Sequence, residues 1–144
     1  MGRRVSIVKR QLSAFLATRR EILAAYLFGS FASDRARPDS DIDIAVVVDE
    51  KNLRPNSLKY RLALMAELGS VLGRSDVDLV LMNEAPPALA QNIITKGRLI
   101  FERSRSARVA FQVRTLNVFM DTEPMRRLHL HYLKRRYLKG PARG

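Results

Sequence analysis

Residues 26–45 read YLFGSFASDRARPDSDIDIA, and this stretch decides the fold. An apolar run at residues 24–28 stops at Gly29, which predicts a buried strand followed by a turn into a short helix. At that turn Gly29 and Ser30 supply free backbone N–H groups and a hydroxyl, the groups that hold a triphosphate with the help of a helix dipole. Alone this signal is weak, because Gly-Ser turns after strands are common.

Asp41 and Asp43 open the clearest strand, which we expect over residues 41–48 (DIDIAVVV). Residues two apart on a strand project from the same face, so the two carboxylates repel each other. A divalent cation resolves that conflict, and Mg²⁺ prefers carboxylate oxygens together with substrate phosphates. The alternative is that the Asp-Ser-Asp run at residues 39–41 only caps a loop with exposed acids, and that the strand begins at Ile42.

A third acid, Asp78, stands in the apolar run VDLVLM at residues 77–82. A charge with such neighbours is rarely buried without a partner. If this strand lies beside the first one, three carboxylates converge on one metal cluster. Asp76 falls on the same strand face and is the competing candidate, although it lies nearer the start of the strand and is more easily solvated.

Helices are predicted before and between these strands. The first ends near Arg20, and the second is capped by Asn56 or Ser57 and ended by Gly73. The leucine-rich spacing of the second helix predicts an apolar side made of Leu58, Leu62, Met65, Leu68 and Leu72.

The second half of the chain continues this alternation. Pro86–Pro87 begin a third helix that ends at Gly97, and residues 98–102 (RLIFE) form a short edge strand. A last helical region at about 104–139 is divided by Pro124, with Thr122 as the cap of its second half. The order of elements predicts a single α/β domain over residues 1–144.

The charge of the chain is strongly positive and unevenly placed. The formal net charge is +12, and residues 101–144 alone carry 11 basic against 3 acidic residues, or +8. Such a field attracts nucleotides, RNA or an acidic protein, although a solvated helical face explains it equally well. The sequence contains no cysteine, which suits a reducing cytoplasm, and no signal peptide or membrane span is recognised, so we expect a cytoplasmic protein away from membranes.

Taken together, Gly29-Ser30, ten intervening residues, Asp41-x-Asp43 and a later acid in an apolar strand resemble the signature of the DNA polymerase β-like nucleotidyltransferases. The small size and the run ARPDSDIDIAVVV resemble the minimal nucleotidyltransferases. The run VDLVLMNEAPPALAQNIITKGRLIFER and the kinked C-terminal helix are similar to the MntA-type antitoxins, partners of HEPN-domain RNase toxins. This resemblance implies a small mixed sheet flanked by helices.

The resemblance also implies a chemistry. Asp41 and Asp43 would bind two Mg²⁺ ions, Asp78 would complete the first metal site, and Gly29 and Ser30 would hold the β- and γ-phosphates of ATP. AMP would pass from ATP to a tyrosine hydroxyl of a cognate HEPN toxin, with which the chain would form a hetero-oligomer.

Two positions near this site need separate comment. Arg37 is near enough in sequence to neutralise phosphate charge, with a solvent-facing loop arginine as the alternative. Where the family usually has glycine after the serine, this chain has Ser33-Asp34-Arg35. Aspartate tolerates left-handed turn geometry, so the turn can survive, but the extra charge could weaken nucleotide binding.

Other functions stay open on the sequence alone. A binding-only antitoxin would neutralise its partner without catalysis, using the basic C-terminal region. Nucleotide transfer to RNA is compatible with the charge but is not favoured. Transfer to a small molecule usually requires a larger substrate-binding half than the last 40 or so residues provide.

Overall fold

Four strands form one mixed sheet in the order β3-β2-β1-β4. The structure is a computed structural model that describes residues 3–32, 40–53 and 55–138. Strand β1 pairs antiparallel with both β2 and β4, whereas β2 pairs parallel with β3. The strands are β1 (Ile22–Phe28), β2 (Ile42–Val48), β3 (Val77–Leu81) and β4 (Arg98–Glu102). The two strands that flank the Gly-Ser turn, β1 and β2, are therefore the central ones.

Helices cover both faces of this sheet. Apolar residues of α1 and α2 bury one face, and those of α3 and α4 bury the other. The tyrosine hydroxyl of Tyr26 accepts a hydrogen bond from Gln112 Nε2 at 3.0 Å, which fastens α4 to β1. The helices are α1 (Arg3–Ala17), α2 (Ser57–Leu72), α3 (Pro87–Lys96), α4 (Arg105–Asp121) and α5 (Glu123–Leu138). In the described part of the chain, no helix has the length and apolarity needed to cross a bilayer.

Strand periodicity sorts the β2 side chains between the two faces. Ile42, Ile44 and Val46 join the core under α1 and α2, while Ala45 and Val47 join the core under α3 and α4. Because successive side chains alternate, Asp43 points to the same side as Ala45 and Val47. Its parallel-register partner on β3 is Asp78, which shares that side. The sheet thus brings two of the three predicted carboxylates onto one face of neighbouring strands.

Capping residues set the ends of the helices as the sequence predicts. The Asn56 side chain accepts a hydrogen bond from the backbone N–H of Lys59 at 3.0 Å, and Gly73 ends α2 with φ of +65°. Gly97 follows α3 directly. The last helical region divides at Thr122 as expected, but Thr122 is the C-cap of α4 and not the predicted cap of the second half; its hydroxyl donates to two carbonyls at the end of α4. Small differences concern α1, which ends at residue 17, and β1, which begins two residues earlier than expected.

The predicted apolar side of α2 is wrong in part. Leu58 and Leu62 are 60% and 48% exposed, whereas Leu64 and Leu68 are fully buried. Leucine, methionine and alanine occur on every side of this helix, so its sequence has no polar face to fix which side meets the sheet. The packing of α2 on β3 and α1 decides that orientation instead.

The two C-terminal helices differ in how they pack. Phe111 and Thr115 of α4 are buried against the rest of the molecule. In α5, by contrast, no side chain that the structure describes is buried. Helix α5 therefore extends from the end of α4 with little support from the core.

Candidate active site

Gly29 is the point where the turn after β1 meets β2. Its φ is +69°, a left-handed backbone conformation that glycine adopts without the strain other residues incur. A Cβ placed on Gly29 would lie 3.4 Å from Asp43 Cγ and would overlap the Asp43 Oδ2 atom. Only glycine therefore lets the carboxylate of Asp43 rest directly against the turn.

An arginine of β4 also contacts this turn. Residues 29–32 form one turn of 3-10 helix in which Phe31 is fully buried. The Nε of Arg98, at the start of β4, donates a 2.7 Å hydrogen bond to the carbonyl of Ala32. The backbone at residues 29–32 thus contacts β2 at Gly29 and β4 at Ala32.

Asp43 lies among other negative charges. The residue is partly buried, and its register partners are Phe28 on β1 and Asp78 on β3. Burial raises the pKa of Asp43, and the charges of Asp78 and then Asp41 raise it further. These two neighbours act on the same carboxyl, so the three acids predicted from the sequence lie within electrostatic reach of one another.

Asp78 is the most exposed of the paired acids and lies on the edge strand. Its side chain is 59% exposed, and its Oδ1 accepts hydrogen bonds from the Leu79 backbone N–H at 3.0 Å and from Arg61 Nη2 at 3.3 Å. Arg61 Nε also donates to the Leu79 carbonyl at 2.7 Å. Arg61 therefore covers the free edge of β3 and holds one oxygen of Asp78.

Asp76, the competing candidate, is engaged elsewhere. Both of its carboxylate oxygens accept hydrogen bonds from Arg74, at 2.7 and 2.6 Å. Arg74 lowers the pKa of Asp76 through these bonds and also donates to the Ser40 carbonyl. A bidentate pair of this kind occupies the carboxylate, which favours Asp78 over Asp76 as the third acid of the site.

Asp41 lies one residue before β2, because the strand begins at Ile42 and not at Asp41 as expected. Its side chain is exposed, and the backbone N–H of Ile42 bonds to the Asp76 carbonyl at 3.0 Å. The alternative interpretation of the Asp-Ser-Asp run is thus correct for the strand boundary and for the exposure of Asp41. It does not extend to Asp43, which is on the strand and partly buried.

Comparison with known proteins agrees with this geometry. The sequence model of the family described as Polymerase beta, Nucleotidyltransferase matches residues 10–106. The chain belongs to the polymerase β nucleotidyltransferase family. The match includes the turn, all three acids and the four strands, and it confirms the α/β fold class with a mixed sheet flanked by helices.

Relatives of this nucleotidyltransferase include one curated protein and several solved structures. It is 33% identical to protein adenylyltransferase MntA of Shewanella oneidensis over 101 residues, which are 70% of this chain and 68% of that one. A chain in a crystal structure of a toxin–antitoxin with AMP-PNP superimposes with a TM-score of 0.73 at 25% identity, covering 87% of this chain and 97% of that one.

A second solved structure supports the fold alone, because its sequence identity is below 25%. It is a tri-AMPylated Shewanella oneidensis HEPN toxin in complex with an MNT antitoxin, and a chain of it matches with a TM-score of 0.69 at 24% identity. The match covers 90% of this nucleotidyltransferase and 98% of that chain, so the likeness includes the C-terminal helices.

The residues of this nucleotidyltransferase fit the divalent metal that the family implies. Carboxylate oxygens are the ligands Mg²⁺ prefers, and the space kept free at Gly29 lets one of them face the turn. Within residues 3–32, 40–53 and 55–138, however, no three acidic or histidine side chains already stand in a ready metal-ligand arrangement.

Other predicted site residues have different outcomes. Ser30 is partly exposed in the turn and remains a predicted phosphate ligand. Arg37 and the Ser33-Asp34-Arg35 segment lie outside the described residues. The sequence reasoning missed Arg61 and Arg98, because an arginine on another element gives no local signal of the acid or carbonyl that it reaches.

Proposed function

We propose that this chain is a Mg²⁺-dependent adenylyltransferase of the cytoplasm that acts as an antitoxin. It transfers AMP from ATP to a tyrosine hydroxyl of a cognate HEPN-domain toxin and thereby silences that toxin. The observation that carries the proposal is the seating of Asp43 against Gly29, which joins a phosphate-binding turn to a metal-binding carboxylate. The relative named protein adenylyltransferase MntA, at 33% identity, supports the choice of reaction.

The proposed site divides its work among named groups. Asp41, Asp43 and Asp78 would hold two Mg²⁺ ions, which supply charge neutralisation for the triphosphate and lower the pKa of the attacking hydroxyl when bound. The backbone N–H groups of the turn and the Ser30 hydroxyl would bind the β- and γ-phosphates.

The reaction itself exchanges one bond to phosphorus for another. The tyrosine oxygen of the acceptor forms a bond to the α-phosphorus, and the bond between that phosphorus and pyrophosphate oxygen breaks. A tyrosine hydroxyl has an ordinary pKa of about 10, so its proton must be lost during attack. Asp78 is the carboxylate best placed to accept that proton, because it is the most solvent-accessible of the strand acids.

The proposal is tested by measuring the transfer of labelled AMP from ATP to the toxin. The purified chain is incubated with Mg²⁺, ATP labelled at the α-phosphate and the proposed cognate HEPN-domain toxin. We expect one or more labelled AMP groups on that protein, absent with ATP labelled at the γ-phosphate. Asp43→Asn should abolish transfer, whereas Asp76→Asn, a matched acid already engaged by Arg74, should preserve it. Transfer that survives Asp43→Asn would contradict the proposal.

A binding-only antitoxin is the second candidate function. It is favoured by the +8 charge of residues 101–144 and by the exposed apolar residues of α4 and α5. Neutralisation of the toxin's RNase activity without label, and equally by wild type and Asp43→Asn, would identify this function in place of catalysis.

A further inference from the structure

Helix α4 has a second apolar face that no residue in the described part of the chain covers. Its buried face contains Phe111 and Thr115. Four further apolar side chains are 40%, 52%, 42% and 57% exposed, in chain order. They are Val109, Val113, Leu116 and Met120, which we call the outer stripe. At about 100° per residue the outer stripe points roughly 150° away from the buried face, so α4 is apolar on two nearly opposite sides.

The spacing of the outer stripe indicates the shape of its occupant. Steps of four, three and four residues place the four side chains along one line over three helical turns. This is the spacing of a seam that another helix fills in coiled-coil-like packing. Single exposed apolar residues are normal on protein surfaces, whereas a contiguous line of them marks an interaction site.

Helix α5 also exposes apolar side chains. Met125 and Leu128 are 74% and 67% exposed, and none of the side chains described in this helix is buried. Helices in proteins owe most of their stability to tertiary packing of an apolar face. A helix with this little packing inside its own chain therefore gains its support from a partner.

The positive charge of α4 and of the residues around it indicates which class of partner binds the outer stripe. Arg105 and Arg114 are exposed on α4, and residues 101–144 carry a net charge of +8. A second copy of this chain would bring two such positive fields together, which opposes self-association. RNA would satisfy the charge but could not bury the outer stripe. An apolar helix flanked by acidic residues satisfies both features.

We propose that the outer stripe and α5 form the docking surface for an apolar, acid-flanked helix of the HEPN-domain partner. The identity of that partner rests on the proposed function, but the docking itself does not require catalysis. The surface is separate from the active site, whose acids lie on β2 and β3. Docking through it raises the local concentration of the acceptor tyrosine near the nucleotide.

The test compares binding and transfer in matched variants. Val113→Asp/Leu116→Asp places two charges in the outer stripe, and Ile7→Asp, which alters a 47% exposed apolar residue of α1, is the control. Binding to the immobilised HEPN-domain protein encoded beside the gene is measured by biolayer interferometry, with circular dichroism melts to verify folding. We expect the double variant to raise Kd by at least about 30-fold, and Ile7→Asp to change it by less than about twofold.

Two further readouts separate docking from folding and from chemistry. The double variant should bind a fluorescent ATP analogue like wild type, and its AMP transfer should show a raised KM for the partner with little change in kcat. Arg105→Glu retains the outer stripe and should slow association at low salt only. If the double variant misfolds, this charge variant carries the test alone, and an association rate equal to that of wild type would overturn the proposal.

The outcomes are distinct for the two proposals. A complex that forms, depends on the outer stripe and carries no label would reject the adenylyltransferase function and support the docking surface. Unchanged Kd in the double variant would overturn the docking surface, whatever happens to the label. Loss of self-association, or loss of binding to anionic vesicles, as the sole effect of the double variant would also overturn it, because the occupant would then be a second copy or a bilayer.

Discussion

Replacing Gly29 by alanine separates the backbone strain of the turn from its contact with the active-site acid. The added Cβ would lie 3.4 Å from Asp43 Cγ and would overlap Oδ2, so the carboxylate must move. Gly73, which ends α2, offers a matched control. Its φ of +65° is close to the +69° of Gly29, but a Cβ added there meets nothing within 4 Å.

The magnitudes follow from that comparison. A left-handed alanine costs roughly 1–2 kcal/mol relative to glycine, so both variants should unfold at a temperature lower by about 3–8 °C. Gly73→Ala should otherwise behave like wild type. Gly29→Ala should also lose at least about 100-fold in the rate of AMP transfer, because displacement of a catalytic group by about 1 Å costs that much.

Thermal melts and α-labelled ATP transfer, made on the same preparations, measure both effects. The ratio of the two transfer rates, corrected for the folded fraction, isolates the contact with Asp43. Equal transfer rates in Gly29→Ala and Gly73→Ala would refute the reasoning, since the turn would then accept a side chain without disturbing the carboxylate.

Three further predictions concern the acids and their counter-ions. Burial and neighbouring charges raise the pKa of Asp43, so the stability that this group contributes is lost as pH rises through that pKa. Asp43→Asn should therefore raise the metal-free melting temperature at pH 8, and progressively less toward pH 4. An equal gain at both pH values would exclude ionisation as the cause. Asp78→Asn should lower kcat/KM by at least about 100-fold, which is more than the loss of a residue that only orients a metal ligand costs. The wild-type carboxylate of Asp76 is paired with Arg74, so Asp76→Asn should keep kcat/KM within about threefold of wild type. Comparable losses in the two variants would mean that Asp76 shares the ligand role. Arg61→Met should raise the affinity for Mn²⁺ by up to about fivefold, because an exposed ion pair worth about 0.2–1 kcal/mol no longer competes for Asp78. Electron paramagnetic resonance measures this affinity. A fall of about tenfold would instead mean that Arg61 orients the Asp78 carboxylate.

Local sequence chemistry was sufficient for most of the fold. Gly29, Asn56 and Gly73 each impose a backbone or capping requirement that a single residue meets, and the structure places all three where the sequence predicts. The Asp43–Asp78 pairing follows from strand periodicity once two strands lie side by side, and the register confirms that they do. The metal and phosphate roles of these residues stay predictions, because they depend on ligands that bind to the fold.

Long-range packing set the limits of that reasoning. The exposed side of α2 was misjudged because Leu58 and Leu62 are chemically equal to the buried Leu64, and only contacts with other elements distinguish them. The role of Arg61 could not be predicted for a related reason, since Arg61 contacts Asp78, which is 17 residues away on another element. Side chains whose partners lie far along the chain give no periodic signal.

The pairing of the last strand with the first has a consequence for synthesis on the ribosome. Ser13 Oγ donates to the Ile100 carbonyl, and the Arg103 side chain donates to four carbonyls between residues 16 and 22. Strand β1 therefore pairs with a strand, β4, that is synthesised some 75 residues later. A nascent chain cannot complete its four-stranded sheet until β4 and Arg103 have been made, so the candidate site on that sheet takes its final shape only after residues 1–103 have been synthesised.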